Sequence, residues 1–157
     1  MGQSASLYET DFYAWTREQA ALLREVAALR RNEPLDWDHL AEEIEDLGGS
    51  ERDAVESQLS TIIEHLLKLE HSNAVNPRPA WRLTVTRARD TLERKMTGTL
   101  TNHLRATLDK RYRSGRKFAL IGLEEYDETA DLPPDCPYTW EQLLDEDWWP
   151  VLSRPDE

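Results

Sequence analysis

Apolar residues recur at steps of three and four along most of this chain, and that spacing constrains its fold more than any other feature. The clearest stretch lies between Glu51 and His71, where the apolar positions are Val55, Leu59, Ile62, Ile63, Leu66 and Leu67. Residues at those steps share one face of an α-helix, whereas a half-buried strand alternates with a period of two. Because no stretch of the sequence alternates convincingly, we expect an all-α fold.

Two helices are predicted before that stretch. The first begins at Thr10 or Asp11, either of which can cap its amides, and extends to Arg31. The second follows the N-cap Asp36 and ends at Gly48, because glycine adopts the left-handed conformation of a helix stop at little energetic cost. Their expected core stripes are Phe12, Trp15, Leu22, Val26 and Leu29 on the first helix and Leu40, Ile44 and Leu47, with Trp37 at the edge, on the second.

The apolar spacing in the second half of the chain predicts two more long helices. An irregular connector at 72–80 precedes a basic helix that begins near Trp81. Gly98 is expected to bend or end this helix. The apolar spacing then predicts a further helix from Leu100 to Leu123.

The last part of the chain predicts little regular structure. An irregular crossing at 127–138 leads to Thr139 and Gln142, which form a capping box for one short helix. The ordered part is expected to end at Pro150, before a tail at 151–157.

A length of 157 residues fits one domain with its own core. We expect a single helical domain at 7–150, built as an antiparallel helical bundle of four to five main helices. A short C-terminal helix and a wrapping tail complete it. Residues 1–6 are predicted to be a disordered N-terminal tail.

No apolar run approaches the ~20 residues of a membrane helix, so we expect a soluble protein without a membrane partner. Cys136 is the only cysteine, which excludes an internal disulfide and makes the reducing cytoplasm the expected location. Acidic neighbours would raise the pKa of this thiol, contrary to what a reactive thiolate needs.

Charge is strongly segregated along the chain, whose net charge is −12. Twelve bases and three acids lie between Arg78 and Lys117, so this basic block carries +9 and the remainder carries −21. The candidate surface bases are Arg82, Arg89, Arg105, Lys110 and Arg113. They could contact nucleic-acid phosphates or meet acids within the protein. The internal alternative is favoured, because the rest of the chain would repel nucleic acid.

A polar cluster lies on the predicted second helix, roughly opposite its apolar stripe. Its members are His39, Glu42, Glu43 and Asp46. Such a cluster could bind a cation or act in acid–base chemistry. We favour a solvated or partner-facing surface, because helical metal sites usually combine Glu-x-x-His pairs from several helices and this chain contains none.

No complete catalytic motif is visible. The sequence lacks Gly-x-Ser-x-Gly, a phosphate-binding glycine loop and His-Glu-x-x-His, so no catalytic residues and no cofactors are predicted. His65 and His103 could join His39 only in a particular helix arrangement that the sequence does not define.

The tryptophans are interpreted first as structural aromatics. They are Trp15, Trp37, Trp81, Trp140, Trp148 and Trp149. Trp148 and Trp149 follow each other in an acidic segment, where they are expected to dock onto the bundle and fix the chain end. If they were exposed, they would form a partner patch.

Several motifs, in their order and spacing, resemble a known bacterial family. They are LYETDFYAWT (7–16), LDWDHLAEEIEDLGGSER (35–52), HLLKLEH (65–71), the tryptophan of AWRLTV (80–85) and LPPDCPYTWEQLLDEDWWP (132–150). Together they are similar to the family called domain of unknown function 29, from about Leu7 to Pro150. The resemblance implies a small all-helical bacterial protein and brings no established catalytic or binding residues.

Segregated charge without a catalytic constellation favours a non-catalytic cytoplasmic module for protein interaction or regulation. Its expected partner is another protein or a second copy of the chain. Two alternatives stay open: a metal-binding protein or enzyme that uses the polar cluster, and nucleic-acid binding through the basic block.

Overall fold

The computed structural model describes residues 7–29 and 32–153, which form six helices and a helical run at 7–10. The helices are α1 (Phe12–Leu29), α2 (Trp37–His71), α3 (Arg78–Lys95), α4 (Gly98–Ala106), α5 (Leu108–Glu124) and α6 (Trp140–Leu144). No strand occurs among the described residues, and the predicted all-α class is confirmed.

The helices are distributed between two compact units. The first unit contains Met1–Ala54 and Met96–His103, and the second contains Val55–Lys95 and Leu104–Glu157. α2 therefore contributes its first half to the first unit and its second half to the second.

Three predictions fall on residues outside the described ranges. They concern the disordered tail at 1–6, the helix end at Arg31, and residues 154–157 of the C-terminal tail. In the described part of that tail, the amide of Ser153 donates a hydrogen bond to the carbonyl oxygen of Glu70 at 2.7 Å.

Asp11 begins α1, as the sequence predicts. Its carboxylate accepts hydrogen bonds from the amide of Ala14 at 3.0 Å and from the amide of Thr99, in α4, at 2.9 Å. Burial alone would raise the pKa of Asp11, but these hydrogen bonds, together with those from the side chains of Thr99 and Thr97, outweigh it and lower the pKa. One buried carboxylate therefore joins the starts of two helices in the first unit.

α1 and the first half of α2 are antiparallel, since Thr16 meets Gly48 while Arg24, further along α1, pairs with Glu45, which precedes Gly48. Ala20 and Ala41 are fully buried. A Cβ on Gly48 would overlap Oγ1 of Thr16 and lie only 3.1 Å from its Cβ. The prediction that Gly48 ends a helix is wrong: α2 continues through it, and no described glycine has a positive φ. Gly48 serves close helix approach instead.

The predicted core stripes of α1 and α2 are also wrong. α1 buries Tyr13, Thr16 and Ala20, and its predicted stripe residues Leu22 and Leu29 are exposed. The separation of two helices depends on the side chains at their contact. Small residues on the facing sides allow a close approach, and this leaves the leucines outside.

The second half of α2 supplies the core of the second unit. Its predicted core residues are all 0% exposed: Val55, Leu59, Ile62, Ile63, Leu66 and Leu67. α5 packs against them at Gly115, where a Cβ would lie 2.8 Å from both Ile63 and the carbonyl oxygen of Ser60. Arg111 of α5 also pairs with Glu56 of α2 at 2.9 Å.

α3 begins at Arg78, three residues earlier than predicted. Pro79 does not prevent this, because the first turn of a helix needs no amide hydrogen at that position. The buried side of α3 comprises Trp81, Val85, Ala88, Arg89 and Leu92. Arg89 is the one charged residue among them.

The helix breaks that follow differ in how well the sequence predicts them. α3 ends at Lys95 and α4 begins at Gly98, as expected. The single helix predicted from Leu100 to Leu123 is two helices, because Thr107 leaves helical geometry with φ −109° and ψ 16°.

The segment between α5 and α6 is irregular, as predicted. Arg116 of α5 fixes it by donating hydrogen bonds to the carbonyl oxygens of Leu132 at 3.0 Å and Pro133 at 3.1 Å. α6 then begins with the predicted capping box of Thr139 and Gln142.

Candidate functional site

The polar cluster on α2 is exposed at all four positions: His39, Glu42, Glu43 and Asp46. Nδ1 of His39 lies 2.5 Å from the carboxylate of the N-cap Asp36. This hydrogen bond raises the pKa of His39, and the charges of Asp36 and Glu42 add to the effect. The side chain of His39 is thus hydrogen-bonded to the N-cap residue of its own helix.

No metal centre is formed in the described part of the chain. Among residues 7–29 and 32–153, no three histidine, cysteine or acidic side chains are grouped so that they could hold a metal ion. His39 faces Asp36, and Nδ1 of His65 lies 2.9 Å from the carbonyl oxygen of Thr61. The metal alternative therefore finds no ligand set in these residues.

Arg89, one of the five candidate surface bases, is buried. It is 2% exposed and donates hydrogen bonds to the carbonyl oxygens of Gln142 and Leu143 at 2.9 Å and of Trp148 at 3.1 Å. Burial lowers the pKa of its guanidinium, and the charges of Asp145 and Glu146 oppose that effect. Its predicted place on a basic surface is wrong, because α6 and the following turn use its donors.

The other four candidate bases are exposed: Arg82, Arg105, Lys110 and Arg113. Arg105 lies 3.8 Å from Glu141 and 5.4 Å from the ring centre of Trp140. Arg82 lies 4.5 Å from the ring centre of Trp149. Two of these bases therefore contact indoles of the C-terminal segment.

Tryptophans of the second unit either contact arginines of the basic block or lie in the core of that unit. Trp81 is 6% exposed. Trp148 meets Tyr138 edge to face, with 5.6 Å between ring centres, and Trp149 is half-buried. The terminal indoles thus pack within the second unit and do not form a separate exposed patch.

The two tryptophans of the first unit, Trp15 and Trp37, differ in their contacts. Trp15 stacks on Phe12 with 5.7 Å between ring centres, and Tyr8 meets it edge to face at 4.8 Å. Trp37 is half-buried, and its indole N–H has no hydrogen-bond partner among the described residues.

An exposed apolar surface, the leucine face, covers one side of the α1–α2 pair. Its members are Leu22, Val26 and Leu29 of α1 and Leu40, Ile44 and Leu47 of α2. The four leucines are 44%, 83%, 41% and 55% exposed in chain order, and the other two residues are partly exposed. In both helices the stripe is rotated in the same sense from the small-residue contact. Because the helices are antiparallel, that rotation turns both stripes toward the same side of the pair, by about 85° from the contact on α2 and by about 145° on α1.

Acidic side chains border the leucine face. Glu18 and Glu25 flank it on α1, Glu43 flanks it on α2, and all three are exposed. Within the described ranges no base pairs with any of them. Glu43 belongs to the polar cluster, so that cluster forms part of the border.

The apolar spacing predicts the residues of the leucine face as core, although the sequence carries one signal against it. Ala20 and Thr16 share one side of α1, and Ala41 and Gly48 share one side of α2. Lines of small residues on two consecutive helices indicate a close contact there, and the leucines lie outside it.

The described residues form an all-helical chain that leaves apolar side chains of α1 and α2 exposed between acidic ones. By its sequence the chain belongs to the family described as Domain of unknown function DUF29, whose model matches residues 7–149. It is similar to an alpha-helical protein of unknown function from Rhodospirillum rubrum, known from a crystal structure. The TM-score is 0.77 and the sequence identity 29%, with 90% of each chain covered.

These comparisons confirm the family and the fold class expected from the sequence, and neither description names an activity. No curated protein matches the chain significantly. Among the described residues, no helix is both long and apolar enough to cross a membrane.

Proposed function

We propose that this protein is a non-catalytic interaction module that binds an amphipathic helix on its leucine face. The observation that carries the proposal is the exposure of four leucines on one side of the α1–α2 pair. Monomeric proteins rarely expose contiguous apolar patches larger than roughly a few hundred Å². Full burial of one leucine contributes roughly 1.5–3 kcal/mol, so even partial burial of four supports binding.

The spacing of the leucine face favours a helix as its partner. Leu22, Val26 and Leu29 follow one another at steps of four and three, and so do Leu40, Ile44 and Leu47. A helix that lies along the pair would place its own apolar residues between these two rows.

Charge favours a basic partner over a second copy of this chain. Glu18, Glu25 and Glu43 border the face without basic partners in the described ranges. Two copies joined through this face would bring these acids together, whereas lysines or arginines beside the apolar stripe of a partner would neutralise them. The partner is therefore an amphipathic helix with basic flanks.

A cytoplasmic location and a non-catalytic role are consistent with the lone cysteine. Cys136 is half-buried, and burial raises the pKa of its thiol, so it is a poor nucleophile. A single thiol without a disulfide partner suits a reducing compartment.

The experiment uses a fluorescent peptide of about three heptads, with leucine at its a and d positions and lysine at its flanks. Fluorescence anisotropy should show that it binds, and a peptide with glutamate flanks should bind at least about tenfold more weakly. The double variant Leu40→Gln/Leu47→Gln keeps the charge and should lose binding. Leu83→Gln, at an exposed leucine of α3, is the matched control and should bind normally.

Equal affinities of the double variant and the Leu83→Gln control would contradict the proposal. Light scattering adds a test of the occupant, because the protein alone is expected to be monomeric. A dimer that Leu40→Gln/Leu47→Gln dissociates would show that a second copy covers the face.

A further inference from the structure

We infer that a groove in the second unit binds a carboxylate that is joined to an apolar group. The groove has a volume of about 430 Å³, and its lining includes Leu69, Val75, Arg78, Arg82, Trp149 and Pro150. It shares no residue with the leucine face. The result of a test of one proposal therefore does not affect the other.

Arg78 is a fixed base at the start of α3. It donates hydrogen bonds to the carbonyl oxygens of Leu69 at 2.8 Å and Ser72 at 3.1 Å. These use two of the five N–H groups of a guanidinium, and the others can serve a ligand. The amino end of α3 adds positive potential at the same place.

Arg82, one turn further along α3, is held by stacking. Its guanidinium lies 4.5 Å from the ring centre of Trp149, which itself lies 5.0 Å from the buried guanidinium of Arg89. Stacking occupies the flat face of a guanidinium and leaves its edge N–H groups for a planar carboxylate. A lysine could not reproduce that geometry.

Neither groove arginine has a carboxylate partner in the part of the chain that the structure describes. Arg94, also on α3, instead pairs with Asp90 at 3.0 Å. Arg78 and Arg82 lie one turn apart on α3 and both line the groove, so their positive charges add there. An external anion would supply the missing charge.

The remaining lining is largely apolar. Leu69, Val75 and Trp149 contribute to it, and Val75 is 75% exposed. A bare inorganic anion would leave this wall in water, whereas an alkyl or aryl group attached to the anion would cover it. The ligand class is therefore an apolar carboxylate, either a free acid or the carboxyl end of a peptide.

NMR titration of the full chain tests this inference through the indole N–H signal of Trp149. The probes are 4-phenylbutyrate, its neutral amide, inorganic phosphate, and a short peptide that ends in phenylalanine with a free carboxylate. Phenylbutyrate or the peptide should shift the signal saturably, and the tighter of the two identifies the source of the carboxylate. The neutral amide and phosphate should each bind at least about tenfold more weakly.

Variants at two exposed arginines of α3 locate the site. Arg82→Gln should weaken binding at least about tenfold, since a charge-assisted hydrogen bond is lost. Its side chain makes no hydrogen bond within the described residues, so this variant should fold. Arg87→Gln is the matched control and should bind as the wild type does.

Four results would each overturn the inference. They are equal affinity for the neutral amide, equal affinity for phosphate, equal affinities of the Arg82→Gln and Arg87→Gln variants, and an unshifted Trp149 signal at millimolar concentrations of both carboxylates.

Discussion

Gly48 and Thr16 lie so close together that no side chain fits between them: a Cβ on Gly48 would overlap the threonine Oγ1. The adjacent Gly49 has open space instead, and the nearest atom to a Cβ there is the end of Arg52 at 3.9 Å. Two neighbouring glycines in one helix therefore have different roles. Gly48 sets the approach of α1 and α2, and with it the exposure of the leucine face.

This contrast predicts opposite effects of the same substitution. Gly48→Ala should lower the free energy of unfolding by about 1–3 kcal/mol, because the added methyl group overpacks the contact. Gly49→Ala should raise it by about 0.5–1 kcal/mol, because alanine is the better helix residue where space allows. Urea denaturation of both variants measures the difference. Effects of the same sign would contradict the close contact.

Removal of the buried guanidinium of Arg89 should be strongly destabilising. Arg89→Leu would leave three carbonyl oxygens without their donor, so the free energy of unfolding should fall by at least about 3 kcal/mol. Arg87→Leu, at an exposed position of the same helix, should change it by less than about 0.5 kcal/mol. Hydrogen exchange in wild type and variants shows which part of the structure is loosened. The amides of 142–148 should lose protection only when Arg89 is replaced.

Asp11 should make stability depend on pH in acid. Its folded-state pKa is lowered from the ordinary value of 3.8, so the charged carboxylate stabilises the folded state above that value. The contribution should be lost as the pH falls from 3.8 through the lower folded-state pKa. Asp11→Asn keeps the size and removes the charge. The free energies of unfolding of the two proteins should differ at pH 6 and converge toward pH 2, and a constant difference would be the contrary result.

Tyr138 should make stability depend on pH in alkali. Its hydroxyl donates a hydrogen bond to Glu70 at 2.5 Å, and burial, with the Glu70 carboxylate adding to it, raises its pKa above the ordinary value of 10.0. The stabilisation is therefore complete below pH 10 and is lost as the pH rises beyond it. Above pH 10 the wild-type protein should lose stability more steeply than Tyr138→Phe, as thermal unfolding can measure. Parallel curves would show that folding does not raise the pKa of the Tyr138 hydroxyl.

The sequence predicted best where one apolar stripe on a helix faces one core. Residues 55–67 show this, since their apolar spacing matches the fully buried side of α2. Capping was equally predictable at Asp11 and at Thr139 with Gln142, because a cap depends on side chains a few residues away.

The leucine face and Arg89 were not predictable in the same way. An apolar stripe shows that a helix side avoids water, but it does not show whether the covering surface belongs to the same chain. Leu40 and Leu47 therefore looked like core. Arg89 is buried because carbonyl groups more than fifty residues later need its donors, and such a distant requirement leaves no local pattern.

Site-specific photo-crosslinking in the organism of origin can show whether a partner helix covers the leucine face in the cell. A photoreactive amino acid would replace Leu40 or Leu47 of the leucine face, or Leu83 of α3 as the control, and mass spectrometry would identify the captured peptide. Positions 40 and 47 are expected to capture one protein through an amphipathic, lysine- or arginine-flanked helical segment, and position 83 is not. Capture of the same partner at all three positions, or of peptides from this chain alone, would contradict the proposed binding of a partner helix.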